Sequence, residues 1–233
     1  YTLREEEALS ELKEMISQMK DTNIYSKVNK IAKNELSTYT NLPFDKNRSL
    51  SKKTQYARGG FISARTVQNN FKGNIYTAYG LYEKQLDKNS YLGVMFGGAN
   101  TNHTLTHNKR SAKTTPTNST VKGVSLYTGA YYGKKLYEEL DWISGMGVQY
   151  GNYKVERHLK NNYQGLDSNG KVKVGAWTTY SGLVLHYPLQ EDVEVQLKGI
   201  LSYSYLNQGK IKESHGLHLA LHSKAYLYLD SEL

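Results

Sequence analysis

Three histidines near the end of the chain, His215, His218 and His222, are the residue type that binds metal ions and moves protons. Their spacing argues against a shared site. On a strand His218 and His222 share a face but lie ~13 Å apart at ~3.3 Å per residue, too far for one ion. His215 has the opposite parity and reads as a loop residue. Asp167-Ser168-Asn169-Gly170 opens like a calcium loop, but the later ligands and the closing glutamate are missing, so a hairpin turn is expected there. Glu138, Glu139 and Asp141 imitate a carboxylate pair. Glu139 and Asp141 share a strand face beside a tight turn, yet no motif supplies a nucleophile or base. The chain has no cysteine, which excludes thiolate zinc sites, iron–sulfur clusters and a cysteine nucleophile. The expectation is a protein without catalysis, cofactor or metal.

Charge raises nucleic acid as a partner. Thirty Lys+Arg against 21 Asp+Glu leave a formal net charge of +9. The basic residues are spread over helix, turns and loops, and no ribonucleoprotein-type aromatic motif accompanies them. No nucleic-acid partner is expected.

The elements that must position these residues fall into two regions. Residues 1 to about 41 have helical periodicity. Thr2-Leu3-Arg4-Glu5 fits a capping box, and Leu9, Leu12, Met15, Ile16 and Met19 recur at helical spacing. After a break at Asp21-Thr22-Asn23, a second helix is predicted from Asn23 to about Thr40. It carries Val28, Ile31 and Ala32 on one side and Lys27, Lys30 and Lys33 on others. Asn41-Leu42-Pro43 ends it, since the residue before proline avoids helical geometry. Asp45 to Lys53 reads as a linker. The domain division is residues 1–50, a helical linker or pore segment, and residues 51–233, a β domain.

From about residue 54 the period changes to 2. Eight strands are predicted, at about 55–67, 74–86, 90–103, 121–133, 137–157, 172–187, 192–206 and 217–230. In the seventh, Val193, Val195, Leu197, Leu201, Tyr203 and Tyr205 alternate with Glu194, Gln196, Lys198, Ser202 and Ser204. In the fifth, Trp142, Met146 and Val148 alternate with Asp141, Gly145, Gly147 and Gln149. The composition is Tyr-rich (21) and poor in Phe (4) and Pro (3), which suits β structure at a wet–dry boundary. Mean hydropathy is −0.65. The longest apolar run, Ala225 to Leu229, is far short of the ~20 residues a membrane helix needs.

Alternation alone does not separate a soluble sandwich from a membrane barrel. Three further features favour the barrel. Several strands exceed the 5–6 residues usual in globular sheets and reach the ~9–11 needed to cross a bilayer. The connections alternate short and long: 87–89, 133–135 and 188–191 are tight, whereas 104–120, 158–171 and 207–216 are long, as in outer-membrane barrels. The polar faces are rich in small groups such as Gly123, Ser125, Gly129, Gly145 and Gly147, which suits a hydrated lumen. The lumen-lining candidates are Asp141, Gln149, Glu194, Gln196 and Lys198. Tyr187, Tyr203 and Tyr205 fit aromatic girdles at the membrane interfaces.

These residues resemble the translocator β domain of bacterial autotransporters, the type V secretion barrel. Tyr56-Ala57-Arg58-Gly59-Gly60 resembles the family's first-strand opening. Tyr79-Gly80-Leu81-Tyr82-Glu83 followed by Tyr91-Leu92-Gly93-Val94 resembles its second and third strands. Leu140-Asp141-Trp142 through Arg157 resembles the fifth, and Tyr203-Ser204-Tyr205 with Gln208 and Glu213 the end of the seventh and its loop. The family-motif residues are thus Tyr56, Arg58, Gly60, Gly80, Glu83, Gly93, Trp142, Arg157 and Glu213.

The resemblance implies an antiparallel up-and-down transmembrane β-barrel, about 8 of an expected 12 strands, preceded by a helical segment. It implies residence in the bacterial outer membrane, with lipid and lipopolysaccharide, the barrel-assembly machinery and an N-terminal passenger as partners. Loop lysines facing anionic lipopolysaccharide then account for the charge. The helix before strand one is implied to lie in the pore; read from its own residues, the second helix, with several lysines and few large apolar side chains, fits a polar lumen against Glu194 or Asp141. The chain starts without Met and stops in mid-pattern, so it reads as a fragment not expected to work alone. Another outer-membrane barrel, a porin or adhesin, and a soluble β-barrel binding lipid or nucleic acid are the rival readings.

Overall fold

The structure, a computed structural model, describes Leu9 and residues 24–46, 54–68, 70–106, 118–160, 165–191, 193–208 and 212–227, with side chains of 24–26, 157–168 and 212–227 outside the description. The first predicted helix lies outside the described residues. The second is α1 (Ile24–Asn41), followed by a 3-10 turn at Leu42–Phe44 whose Pro43 blocks further α-helix. Asn41 donates its side-chain amide, and Thr40 its hydroxyl, to the Ser37 carbonyl at the helix end.

Eight strands follow: β1 (Gln55–Gln68), β2 (Phe71–Gln85), β3 (Ser90–Thr106), β4 (Asn118–Tyr137), β5 (Leu140–Lys160), β6 (Gly165–Gln190), β7 (Val193–Gln208) and β8 (Lys212–Leu227). They form one sheet in sequence order, every neighbour antiparallel. The sheet curls around α1, whose residues pack against β3 to β7. Register shifts fall beside two tight turns, between Lys135 and Tyr137 and between Pro188 and Gln190. Pro188 lacks the N–H a ladder position needs, which explains the second shift. At the β2–β3 turn, the Asn89 N–H donates to Asp87 Oδ1 at 2.8 Å. Hydrogen bonds from Ser90 and Asn89 hold that carboxyl below the usual carboxylate range.

The strands outrun their predicted ends, and this corrects the loop rhythm. Gln68 pairs with Phe71, Lys160 with Gly165 and Gln208 with Lys212. Most of the residues left between the predicted strands at 68–73, 158–171 and 207–216 are therefore ladder. Only the β3–β4 connection, residues 107–117, separates its strands by more than four residues. Ser168-Asn169-Gly170 is not a turn: Asn169 faces Glu156 and Gly170 faces Val155. Beyond a membrane, backbone pairing stabilises a hairpin without an apolar face, so polar sequence there does not end the strand. One end of the sheet thus carries tight turns and the other carries hairpins that project further.

The sheet is inside-out relative to a soluble domain. Phe61 is 91 % exposed, Phe96 68 %, and Leu126 and Met146 66 % each, while Glu83, Asp141, Glu194 and Gln196 are buried on the concave side. Such an arrangement is stable only if the convex face meets hydrocarbon. Aromatics bracket that face in two tiers. Tyr82, Tyr132, Tyr137, Trp142 and Tyr187 lie toward the tight turns, and Tyr76, Tyr150, Trp177, Tyr203 and Tyr205 toward the long hairpins. Tyr132 meets Trp142 edge-on at 6.1 Å, and Trp177 lies between Tyr203 and Tyr205. Ten positions along β6 separate Trp177 from Tyr187. At ~3.3 Å per residue and a tilt of ~40°, that is ~25 Å of membrane thickness, the height of an outer-membrane apolar band.

Candidate functional site

The concave side of the sheet is a lumen, and the chain's own α1 occupies it. Val28, Ile31, Ala32, Leu36 and Tyr39 fall on one helical stripe, and all are buried. They pack on the inward residues Phe71, Ile75, Val121, Val155, Val174 and Leu206. Tyr39 stacks on Tyr127 with ring centroids 4.2 Å apart. The expectation of a hydrated lumen is therefore corrected: around α1 it is filled, largely by apolar side chains.

The inward glycines have a related role. A Cβ on Gly93 would overlap the Tyr131 ring, one on Gly133 the Tyr91 ring, and one on Gly123 or Gly151 the Tyr153 ring. The small residues make room for tyrosines that lie flat on the wall. Tyr91, Tyr127, Tyr131, Tyr153 and Tyr180 are thus lumen fillers, not girdle residues.

Within the apolar contact sits one carboxylate. Glu35 is buried on the helix and accepts hydrogen bonds from Ser125, from Tyr153 at 2.8 Å and from Gln149 at 3.3 Å. Gln149 also donates to the Ala32 carbonyl at 3.3 Å. Lys30 bonds Gln68 at the end of β1, and Lys27 lies over the Phe71 ring at 5.4 Å. These contacts place the N-terminal half of α1 at the long-hairpin end. Glu194 and Asp141, the expected neighbours of the helix, lie beside His186, toward the other end of the lumen.

Both acids lie at the tight-turn end, where Asp141 acts on the charge of Lys46 in the segment after the helix. Glu83 anchors a network there. It pairs with Lys46 at 2.6 Å and accepts from Tyr131 at 2.7 Å and Tyr56 at 3.1 Å. Lys46 Nζ also lies 3.5 Å from the Tyr91 ring centroid. Arg58 donates to the carbonyls of Leu42, at 2.8 Å, and Asp45. Gln196 donates to those of Lys46, at 2.9 Å, and Phe44, at 3.3 Å. His186 lies 2.5 Å from Glu194 and 3.8 Å from Asp141, and Lys198 lies 3.8 Å from Asp45. Asp45 and Lys46, the start of the segment read as linker, are therefore clamped: Lys46 is 2 % exposed.

All five lumen-lining candidates lie buried on the concave face: Gln149 beside α1, and Asp141, Glu194, Gln196 and Lys198 around the clamped segment. Of the family-motif residues, Tyr56, Arg58 and Glu83 meet in that same network, and Gly93 underlies Tyr131. Gly60 lies under the Tyr79 ring, and Gly80 gives space to Phe96. Trp142 faces outward and donates Nε1–H to Ser181 at 2.8 Å. The side chains of Arg157 and Glu213 lie outside the described residues; their backbones pair with Ser119 and Asn207. Sequence reading missed Glu35, Lys46 and Tyr39. A glutamate within the apolar helical stripe was the available signal for Glu35.

A curled antiparallel wall, apolar outside between two aromatic tiers and threaded by its own helix, defines a membrane-spanning β-barrel domain. The chain belongs to the family described as Autotransporter beta-domain, which it matches over residues 54–232. No curated relative matches the chain.

Proposed function

We propose that this domain sits in the bacterial outer membrane as a translocator, with residues 1–50 as pore segment and residues 51–233 as part of the barrel, and that it exports and anchors a passenger attached at its N-terminal side. The observation that carries this reading is the polarity of the threaded segment. The start of α1 lies at the long-hairpin end, beside Gln68 and Phe71. Its continuation into β1 lies at the tight-turn end, beside Glu83. Outer-membrane barrels keep short turns at the periplasm and longer loops outside. The chain before Ile24 is then delivered at the cell surface. Lipid, lipopolysaccharide and the barrel-assembly machinery are the partners this role requires.

The eight strands act within a larger closed wall. An eight-stranded barrel has an interior just wide enough for side chains, too narrow for a helix. Among the described residues the outer edges of β1 and β8 have no partner strand, and open edges in lipid are strongly unfavourable.

The absence of native cysteine makes topology directly measurable. Ser10→Cys and Lys88→Cys are introduced separately into the protein in whole cells, and a membrane-impermeant maleimide is added. The expected result is labelling at position 10 and none at position 88 until the outer membrane is opened. Labelling of position 88 in intact cells, or of position 10 only after opening, overturns the proposed orientation.

A further inference from the structure

Four lysines gather on the convex face where the long hairpins leave the apolar band. Lys122 on β4 is the direct ladder partner of Lys154 on β5, and Lys154 is the direct partner of Lys171 on β6. Lys173 lies two residues further along β6, opposite Asn152. All four lysines are exposed. Adjacent strands are ~4.8 Å apart, so three ammonium-bearing chains leave the sheet side by side. Like charges directly opposed on neighbouring strands destabilise a sheet. Among the described residues a single carboxylate offsets the group: Glu156, on the same face of β5, lies 3.0 Å from Lys154. Counted over the described side chains, four ammonium groups meet one carboxylate.

Its depth is set by the aromatic tier. Lys154 lies four residues beyond Tyr150, and Lys173 four residues beyond Trp177. At ~3.3 Å per residue and a tilt of ~40°, both stand ~10 Å outside the aromatics, the depth of membrane headgroups. Bulk solvent would only screen the repulsion, hydrocarbon would exclude the charges, and fixed anions would turn the repulsion into attraction. A layer of fixed phosphates satisfies both the charge and the depth.

We propose that Lys122, Lys154, Lys171 and Lys173 form a binding site for the phosphorylated sugar headgroup of an outer-leaflet glycolipid, of the lipid A type. The site rests on the outer-membrane reading above and deepens it by naming where the wall holds its lipid. Ammonium groups donate charge-assisted hydrogen bonds to phosphate oxygens, and the tyrosine and tryptophan tier below receives the acyl chains. Lysine suits a site of this kind, because its flexible stem lets each charge find a phosphate as the lipid moves.

The test uses the full-length protein extracted from the outer membrane in mild detergent, stripped of lipid and titrated in native mass spectrometry. The probes are diphosphorylated lipid A, the same lipid after phosphatase treatment, and inorganic phosphate. The expected result is that removing the phosphates weakens lipid binding by at least about tenfold. The K122Q/K154Q/K171Q/K173Q variant loses affinity to the same extent, its all-arginine counterpart keeps it, and glutamine at Lys84, Lys88 and Lys134 on the opposite rim changes nothing. If the fourfold glutamine variant fails to fold, K171Q/K173Q and the wild-type preference between the two lipids decide.

Equal affinity for the two lipids, unchanged affinity in a folded variant, or displacement of the lipid by millimolar inorganic phosphate overturns the site. Wild-type protein whose gel mobility does not change on boiling would instead defeat the barrel reading. A heat-modifiable barrel indifferent to phosphate defeats the lysine site alone.

Discussion

From the long-hairpin end to the middle of the lumen, α1 is held by Val28, Ile31, Leu36 and Tyr39 against valines, a phenylalanine and flat tyrosines. At the tight-turn end, the next few residues are held by Lys46–Glu83, by Arg58 on two carbonyls and by Gln196 on two more. The first grip is apolar and tolerant of direction, since burial depends on area and not on angle. The second is directional, because each donor must meet one acceptor at one distance. The apolar collar around α1 thus supplies most of the burial, while the polar floor around Leu42–Lys46 fixes which residue stands at the tight-turn mouth.

The largest expected effect comes from breaking the floor. Glu83→Leu leaves Lys46 buried without its carboxylate and Tyr56 and Tyr131 without their acceptor. Loss of one member of a buried pair costs about 3–5 kcal/mol. Urea unfolding of the extracted protein, followed by the heat-sensitive mobility of the folded form, reads it. Lys46→Met combined with Glu83→Leu should recover most of the loss, because no charge is then stranded. A double variant as weak as the single one would show that the floor is held by shape and not by this pair.

The collar should respond next, and differently. Leu36→Ala removes a buried side chain and is expected to cost about 2–5 kcal/mol, the range of cavity-forming core truncations. Because Leu36 shares no hydrogen-bond partner with Glu83, its cost should add to that of Glu83→Leu within about 0.5 kcal/mol in the same urea assay. A third substitution tests the joint between wall and filler. Gly93→Ala drives a methyl into the Tyr131 ring that reaches Glu83, and overpacking of this kind costs about 1–3 kcal/mol. Tyr131→Phe in the Gly93→Ala background should not relieve it, since the clash is with the ring and not the hydroxyl. Relief by that change would move the cause to the hydrogen bond.

Parity was legible in the sequence because a membrane wall keeps one face free of charge. Leu197 and Leu201 outside and Glu194, Gln196 and Lys198 inside could be read from alternation alone. Two things were not legible, for definite reasons. Strand ends beyond the membrane carry no apolar signature, so Gln68, Asn169 and Asn207 looked like loop although their backbones pair. The filling of the lumen was hidden because its two halves lie on different strands. Gly123 reads as the wall of a hydrated lumen until the register sets it against the ring of Tyr153. Lys46 offered no local signal at all: its partner Glu83 is 37 positions away, and only the curl of the sheet joins them.

The smallest expected effect is also the sharpest test of how the two grips differ. Ile31 is fully buried in the collar. Ile31→Val removes one methylene and should cost about 0.5–1.5 kcal/mol, and the volume-conserving Ile31→Leu less than about 1.5 kcal/mol. Neither change should shift the helix along the lumen, because the clamp on Leu42–Lys46 still sets its register. A cysteine at position 10 should therefore keep its labelling rate in both. Weakening the floor should do the reverse: Gln196→Leu removes the donor to Phe44 and Lys46 and should change that labelling rate while leaving the collar's packing intact. If Ile31→Val alters the labelling and Gln196→Leu does not, register is held by apolar fit around α1, and the division of labour drawn here is inverted.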